Sequence, residues 1–149
     1  MDEPTLDPPP PAAPTPDADR GAVRDERIEA RLQRLAGDDE KVVAWVQGWI
    51  SRETRLHRAF AARTLDFAVV TERSLSLVST GFFTRRPRRR VYDARFQRIF
   101  VAEDPVTRGR RRLRVSARGT RPLWFELDAS ERARAFADEL SARWKAAQP

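Results

Sequence analysis

Several groups that carry chemistry or cross-links are scarce or missing in this sequence. It contains no cysteine and one histidine, and only two of its 29 basic residues, Lys41 and Lys145, are lysines. The lack of cysteine excludes disulfides and thiolate metal sites and is typical of a reducing compartment. No apolar run approaches the ~18 residues of a membrane span, and the N-terminus lacks the apolar stretch of a signal peptide. We therefore expect a cytoplasmic protein.

Sets of residues that could act together in catalysis are equally scarce. His57 is the only imidazole base that a serine nucleophile could use, no glycine-rich phosphate loop is present, and no acid pair has a recognisable spacing. The acidic run Asp38-Asp39-Glu40 is interpreted as marking the end of a helix rather than as a metal site. The sequence thus predicts a protein that is not an enzyme, with no cofactor, no metal and no small-molecule substrate.

Charge and proline divide the chain into a tail and a domain. The net charge is +7, but residues 1–19 hold five acids, no base and seven of the eleven prolines, which leaves +12 on the remainder. Such a tail buries too little apolar area to offset its ordering entropy. We predict a disordered acidic tail over residues 1–21, a helix over 22–37 and one domain over 38–147.

The first part of the domain shows helical and then alternating patterns. Ile28, Leu32 and Leu35 are spaced for one helix face, and Gly37 marks its end. Lys41–Ser51 is predicted to be a strand that is apolar on both faces and partly covered by the first helix. One face would hold Val43, Trp45 and Trp49, and the other Val42, Val46 and Ile50. Gly48 indicates a bend or bulge, and residues 52–63 fit either helical turns or a loop.

Two hairpins and a closing helix follow. In the first hairpin, a three-residue connection would pair Val69 with Leu75 and Phe67 with Leu77. Short strands are predicted at 90–93 and 98–103. In the second hairpin, Leu113 would face Phe125, with Arg114 opposite Trp124 and Arg112 opposite Glu126 on the outer face. Asp128 is predicted to cap an amphipathic helix whose apolar stripe comprises Ala133, Phe136, Ala137, Leu140 and Trp144.

The amino-acid sequence of these predicted strands resembles that of one known family. Phe67–Val78 reads FAVVTERSLSLV and is similar to the "vvTdrRLllv" hairpin of bacterial pleckstrin-homology-like domains, and Asp93–Ile99 resembles their "ip..rI..v" strand entry. The resemblance covers roughly residues 41–144. It implies a mainly β, PH-like antiparallel barrel or roll of about seven strands closed by a C-terminal amphipathic helix, here with an added N-terminal helix. Another small barrel and an α+β roll are the alternative architectures.

The resemblance also implies a binding module for lipid headgroups, peptides or other proteins. Members that bind phosphoinositides carry a Lys and then a Lys/Arg-x-Arg pair across the first two strands. This chain offers Arg52, Arg55, Arg58 and Arg63 there, without a lysine between Ser51 and Leu65 and without Arg-x-Arg. Specific inositide recognition is therefore not expected, whereas general attraction to anionic phospholipid remains open.

The segment Thr80–Arg90, between two predicted strands, points to a partner. It joins two phenylalanines to five arginines, and an apolar tip with a basic flank is typical of contact with an anionic surface. The predicted contact residues are Phe82, Phe83, Arg85, Arg86, Arg88, Arg89 and Arg90. The alternative is that both phenylalanines fold into the core and the arginines form a solvated rim.

A second basic face is predicted on the later hairpin, formed by Arg110, Arg111, Arg112, Arg114 and Trp124. If the two clusters share a face, they form one positive surface. The hypothesis is peripheral association with an anionic membrane surface, or with a membrane-associated protein, at the inner face of the membrane. A protein-interaction scaffold without lipid binding is one alternative. Non-specific binding of nucleic acid, with Trp124 stacking on a base, is the other.

Overall fold

Seven antiparallel strands and two helices form the part of the chain that the structure, a computed structural model, describes: residues 16–52, 63–107 and 110–149. The helices are α1 (Pro16–Ala36) and α2 (Glu131–Ala146). The strands are β1 (Val42–Arg52), β2 (Arg63–Thr71), β3 (Ser74–Thr80), β4 (Pro87–Arg95), β5 (Ile99–Thr107), β6 (Arg110–Ala117) and β7 (Leu123–Leu127), and a 3₁₀ turn, Phe96–Arg98, precedes β5.

The strands form one sheet in the order β4-β3-β2-β1-β7-β6-β5, with β1 at its centre. β1 pairs with β2 along most of its length, and its last four residues also pair with β7. At Gly48 a Cβ atom would lie 2.9 Å from the carbonyl oxygen of Glu126. Gly48 therefore permits the close approach of β7. The predicted bulge at Gly48 is wrong, because the register shift of β1 lies between Val42 and Ala44. The alternative, a bend at Gly48, stays a prediction.

The main core fills the space between the sheet and α2. The apolar stripe predicted for α2 supplies Ala133, Phe136, Ala137 and Leu140, all at most 1% exposed. Trp144 continues the stripe, half-buried, and donates from Nε1 to the carbonyl oxygen of Ile99 at 2.9 Å. The 3₁₀ turn contributes Phe96, and the strands contribute the rest of this core: Val46, Ile50, Ala68, Val70, Leu75, Leu77, Ile99, Val101, Leu113, Val115, Leu123, Phe125 and Leu127.

A second apolar cluster lies on the other face of the sheet, beneath α1. Leu32 packs there with Trp45 and Phe67, whose ring centroids are 5.9 Å apart, and with Val69 and Val78. The expectation that the first helix partly covers a strand apolar on both faces is thus met. Val42 lies in this cluster with Trp45 rather than with Val46 and Ile50, because the bulge after Val42 reverses the alternation at that point.

The β2–β3 hairpin has a register one residue away from the predicted one. Val70 pairs with Leu75 and Ala68 with Leu77, so the connection is a two-residue turn, Glu72-Arg73. Side chains fix this turn: Thr71 and Ser74 both donate their hydroxyls to Glu40 Oε2, at 2.6 and 2.9 Å, and Thr71 Oγ1 accepts from the Ser74 amide. A one-residue shift exchanges the two faces of a strand, so Phe67 and Val69 lie under α1 instead of in the main core.

The β6–β7 hairpin has the predicted register. Leu113 pairs with Phe125, Arg114 with Trp124, and Arg112 with Glu126. Gly119, at φ 81°, takes the left-handed position in the connection, and the Thr120 amide donates to the carbonyl oxygen of Ala117. The strands predicted at 90–93 and 98–103 are also present, and both are longer than expected.

Both helices begin at residues other than those predicted. α1 starts at Pro16, inside the segment assigned to the tail. Proline is favourable at a first helical position. α2 is capped by Ser130, whose Oγ accepts from the Ala133 amide at 3.2 Å, while Asp128 accepts from the Ser130 amide. The predicted cap at Asp128 is therefore two residues early.

Some predictions fall outside the described residues. These are the disorder of residues 1–15, the ambiguous segment 53–62 with Arg55, His57 and Arg58, and the loop residues 108 and 109.

Candidate functional site

The β3–β4 loop, Gly81–Arg86, projects two phenylalanines into solvent. Phe82 is 89% exposed and Phe83 92% exposed, and their rings form an edge-to-face contact at 5.0 Å. The alternative that this pair belongs to the core is therefore excluded. Apolar side chains of this size are rarely left so exposed without a partner.

Backbone hydrogen bonds hold this loop in one shape. The Gly81 amide donates to the carbonyl oxygen of Arg86 at 2.9 Å, and the Arg85 amide donates to the carbonyl oxygen of Gly81 at 2.9 Å. Arg85 adopts φ 51°, in the left-handed region that side chains other than glycine and asparagine rarely occupy. The loop thus maintains a strained arginine directly beside the exposed phenylalanines.

The predicted arginines of this segment are all exposed. Arg85 and Arg86 lie in the loop itself, whereas Arg88, Arg89 and Arg90 follow on β4 after the buried Pro87. β4 is an edge strand, and its Arg90 lies 4.0 Å from Asp93. Charge on an edge strand also prevents pairing with other chains, so Arg88–Arg90 have a structural reason to be present as well.

On the second predicted basic face, Arg112 and Arg114 are stacked on Trp124, with guanidinium carbons 4.1 and 5.7 Å from the ring centroid. Trp124 is half-buried rather than freely exposed. Arg110 is exposed, but Arg111 lies on the opposite side of β6, 3.6 Å from Glu103 and 3.8 Å from Asp138 of α2. Arg111 therefore does not belong to this face, because strand alternation directs it away from its neighbours.

The two predicted clusters lie on strands far apart in the sheet. β4 is at one edge, β6 is next to the opposite edge, and four strands separate them in the sheet order. The tip instead gains basic neighbours from α1. A groove of about 810 Å3 runs between this helix and the loop, and its lining includes Arg20, Arg24, Arg27, Arg31, Arg34, Arg85 and Arg86.

Contacts at several points position α1 against the loop. Leu32 is buried on the sheet, and Ile28 and Leu35 pack beside it. Arg31 donates from Nε to the carbonyl oxygen of Pro87 at the start of β4, which ties the helix to the tip segment. At the end of the helix, Gln33 donates to the carbonyl oxygens of Gly37 and Glu40 and accepts from the Val42 amide, so the connection to β1 is fixed as well.

The arginines of α1 were missed at the sequence level, although the sequence contains their signal. Arg20, Arg24, Arg27, Arg31 and Arg34 are separated by alternating steps of four and three residues, the spacing of one helix face. We name this set the arginine row. The apolar stripe of Ile28, Leu32 and Leu35 lies next to it, so packing of that stripe directs the row toward the β3–β4 loop.

A second groove, of about 800 Å3, opens on the other side of the tip. Arg85 and Phe82 line it together with apolar side chains that include Trp49, Leu65 and Val91. Trp49 and Val91 are 45% and 37% exposed, so apolar surface continues from the phenylalanine pair along the sheet. Arg85 therefore stands between a basic groove and an apolar one.

The described ranges contain neither a candidate metal site nor a candidate membrane-spanning helix. There, no group of three or more His, Cys, Asp or Glu residues is arranged to hold a metal ion. None of the helices in the same part of the chain is both long and apolar enough to cross a bilayer.

Comparisons with known proteins bear on the fold. No protein-family model and no curated protein matches the chain. A structure of Vav1 inhibited by an allosteric inhibitor that blocks GEF activity has a TM-score of 0.57 at 10% identity, covering 87% of this chain and 34% of that chain. A complex of the PDZ-RhoGEF DH/PH domains with GTP-γ-S-activated RhoA has a TM-score of 0.46 at 10% identity, covering 80% of this chain and 33% of that chain.

These likenesses concern architecture alone. The chain spans about a third of each matched chain, and the second match is too weak to carry an argument. The seven-stranded antiparallel sheet with its C-terminal helix is PH-like, as the sequence predicted. The bacterial subgroup named by the strand resemblance stays a prediction.

Proposed function

We propose that this protein is a non-enzymatic binding module that attaches peripherally to anionic membrane surface through its β3–β4 loop. The exposure of Phe82 and Phe83 beside the arginines of the same loop carries this proposal. A phenylalanine pair in solvent is unfavourable, and transfer into the acyl boundary of a bilayer removes that apolar area from water. The inner face of the cytoplasmic membrane is the surface that we propose.

The expected energies fit reversible attachment. Each phenylalanine buried in an apolar phase contributes about 1.5–3 kcal/mol, and each arginine near an anionic leaflet contributes about 1 kcal/mol. Arg85 and Arg86 flank the phenylalanines in the loop, and Arg88–Arg90 begin immediately after it. The proximity of these arginines to the two phenylalanines supports the proposal that the arginines bind headgroups while the phenylalanines insert.

Co-sedimentation with vesicles tests this proposal. The full chain would be mixed, at ~0.15 M salt, with phosphatidylserine-containing or pure phosphatidylcholine vesicles, with duplex DNA as a competitor in a parallel series. We expect pelleting with the anionic vesicles only, unchanged by DNA, and loss of most pelleting in Phe82→Ser/Phe83→Ser. Phe100→Ser, at a phenylalanine 54% exposed on β5, is the matched control and should pellet like the wild type.

Other results would overturn the proposal. If DNA abolishes pelleting, the basic surface binds nucleic acid rather than lipid. Absence of pelleting in the wild type would favour a protein partner for the tip. Equal losses in the tip variant and in Phe100→Ser would show that general hydrophobicity, and not the loop, drives attachment.

A further inference from the structure

Seven arginines converge on the groove between α1 and the β3–β4 loop. The described residues that line the groove are the arginine row, Arg85 and Arg86, and otherwise Val23, Ile28, Ala30, Thr84 and Pro87, and none of them is acidic. The arginines are all exposed, although Arg31 Nε also donates to the carbonyl oxygen of Pro87. Like charges collected in a concave site create a strong positive potential that favours an anion.

Among the described residues, no acid forms an ion pair with these seven arginines. Ion pairs there involve other arginines, such as Arg90, Arg111, Arg132 and Arg143. On α1 itself Asp25 faces away from the row and pairs with Arg132 of α2. Glu26 and Glu29 also fall outside the face that the row occupies, because their positions differ from it by a quarter turn or more. Within the described part of the chain, the groove therefore keeps its positive charge.

The arginine row is linear. From Arg20 to Arg34 the helix advances about 21 Å at 1.5 Å per residue, with a guanidinium at every turn. A compact anion would contact only part of such a row, whereas a chain of phosphates laid along the helix would contact all of it. Guanidinium groups pair well with phosphate oxygens, and Arg85 and Arg86 approach the same chain from the opposite wall.

The lining also limits the class of polyanion. None of the described residues that line the groove is an aromatic side chain on which a nucleobase could stack. Single-stranded nucleic acids bind through base stacking on aromatic platforms in addition to backbone charge. The groove thus offers sites for a row of phosphates and none for bases.

We propose that this groove binds an extended polyanion whose phosphate groups lie in line, with inorganic polyphosphate as its simplest form. The site shares Arg85 and Arg86 with the predicted lipid contact, but the arginine row belongs to α1 and the ligand needs no membrane. The proposal therefore goes beyond membrane attachment and stands or falls separately from it.

Calorimetric titration of the full chain at ~0.15 M salt tests the proposal. The probes are inorganic tripolyphosphate, long-chain polyphosphate and a single-stranded DNA of similar total charge. We expect long-chain polyphosphate to bind at least ~10-fold more tightly than tripolyphosphate, because only the long chain spans the row, and more tightly than the DNA.

Matched variants locate the site. Arg24→Gln/Arg27→Gln/Arg86→Gln removes three groove charges whose side chains are exposed, and it should weaken polyphosphate binding at least ~10-fold. Arg98→Gln/Arg118→Gln/Arg134→Gln removes three exposed arginines elsewhere and should weaken it less than ~3-fold. Circular dichroism and thermal unfolding would verify that both variants are folded.

Three results would overturn the proposal. Equal losses in the two triple variants would show diffuse charge attraction. Equal affinity for tripolyphosphate and the long chain would show that the row does not act as a line. Tighter binding of the DNA would assign the groove to nucleic acid. Failure of the vesicle experiment alone would leave this proposal standing, and failure here would leave membrane attachment standing.

Discussion

The guanidinium carbon of Arg132 lies 3.9 Å from the ring centroid of Trp45. Arg132 belongs to α2 and Trp45 to β1, and the same guanidinium pairs with Asp25 of α1. One side chain therefore joins both helices to the central strand. This contact matters for the site, because the position of α1 determines where the arginine row meets the β3–β4 loop.

Arg132→Ala should destabilise the fold by about 1–2 kcal/mol. A partly exposed cation–π contact contributes about 0.5–1 kcal/mol or somewhat more, and an ion pair exposed to this degree adds at most about 1 kcal/mol. Urea unfolding would measure the change. Arg134→Ala, an exposed arginine two residues along α2, is the control and should change stability by less than ~0.5 kcal/mol. An effect of Arg132→Ala no larger than that of the control would contradict the prediction.

Gly48→Ala should destabilise the junction between β1 and β7. Its Cβ would lie 2.9 Å from the carbonyl oxygen of Glu126, a backbone atom that moves only with β7. We expect a loss of about 1–3 kcal/mol. In Gly21→Ala, by contrast, nothing lies within 4 Å of the new methyl group, and alanine should stabilise α1 by about 0.5–1 kcal/mol. Thermal unfolding of both variants tests whether Gly48→Ala lowers and Gly21→Ala raises the stability of the protein. A Gly48→Ala protein as stable as the wild type would show that the two halves of the sheet shift easily.

The sequence predicted the second hairpin better than the first for a physical reason. Between β6 and β7 the register follows from local alternation and a loop containing Gly119, and both are visible in the sequence. Between β2 and β3 the turn is set by Glu40, which lies over thirty residues from Thr71 and Ser74 in the chain. A contact of that range leaves no trace in the local pattern, and the one-residue shift followed from it.

The candidate site was likewise predictable from the sequence only in part. The Phe-Phe/Arg tip was predictable because all its residues are consecutive, and only their exposure needed the structure. The groove was not predictable, because it combines the arginine row of α1 with Arg85 and Arg86, about fifty residues later. The spacing of the arginine row was visible in the sequence. The direction in which the row faces, however, depends on how Leu32 packs against Trp45 and Phe67.

Glu40→Ala should destabilise the protein by about 1–3 kcal/mol. Thr71 and Ser74 are at most 1% exposed, and both lose the carboxylate that accepts their hydroxyls. Asp39→Ala, at an exposed neighbour, is the control and should have little effect in the same urea titration. Hydrogen exchange should also show faster opening of the β2–β3 turn in Glu40→Ala alone. If the exchange rates of the two variants agree, Glu40 does not hold this turn.

Arg85→Gly should stabilise the protein while weakening its binding. Arginine at φ 51° stores about 1–3 kcal/mol of strain that glycine lacks, although glycine adds about 0.4–1 kcal/mol of entropy to the unfolded chain. A net gain of roughly 0–2.5 kcal/mol in urea unfolding is expected, together with weaker binding of polyphosphate or anionic vesicles. Arg88→Gly removes the same charge from an extended strand position and should lower stability by about 0.5–1 kcal/mol. A protein would retain backbone strain at Arg85 if the guanidinium were needed in the groove. If Arg85→Gly instead lowers stability, Arg85 is not strained and this argument for its role in binding fails.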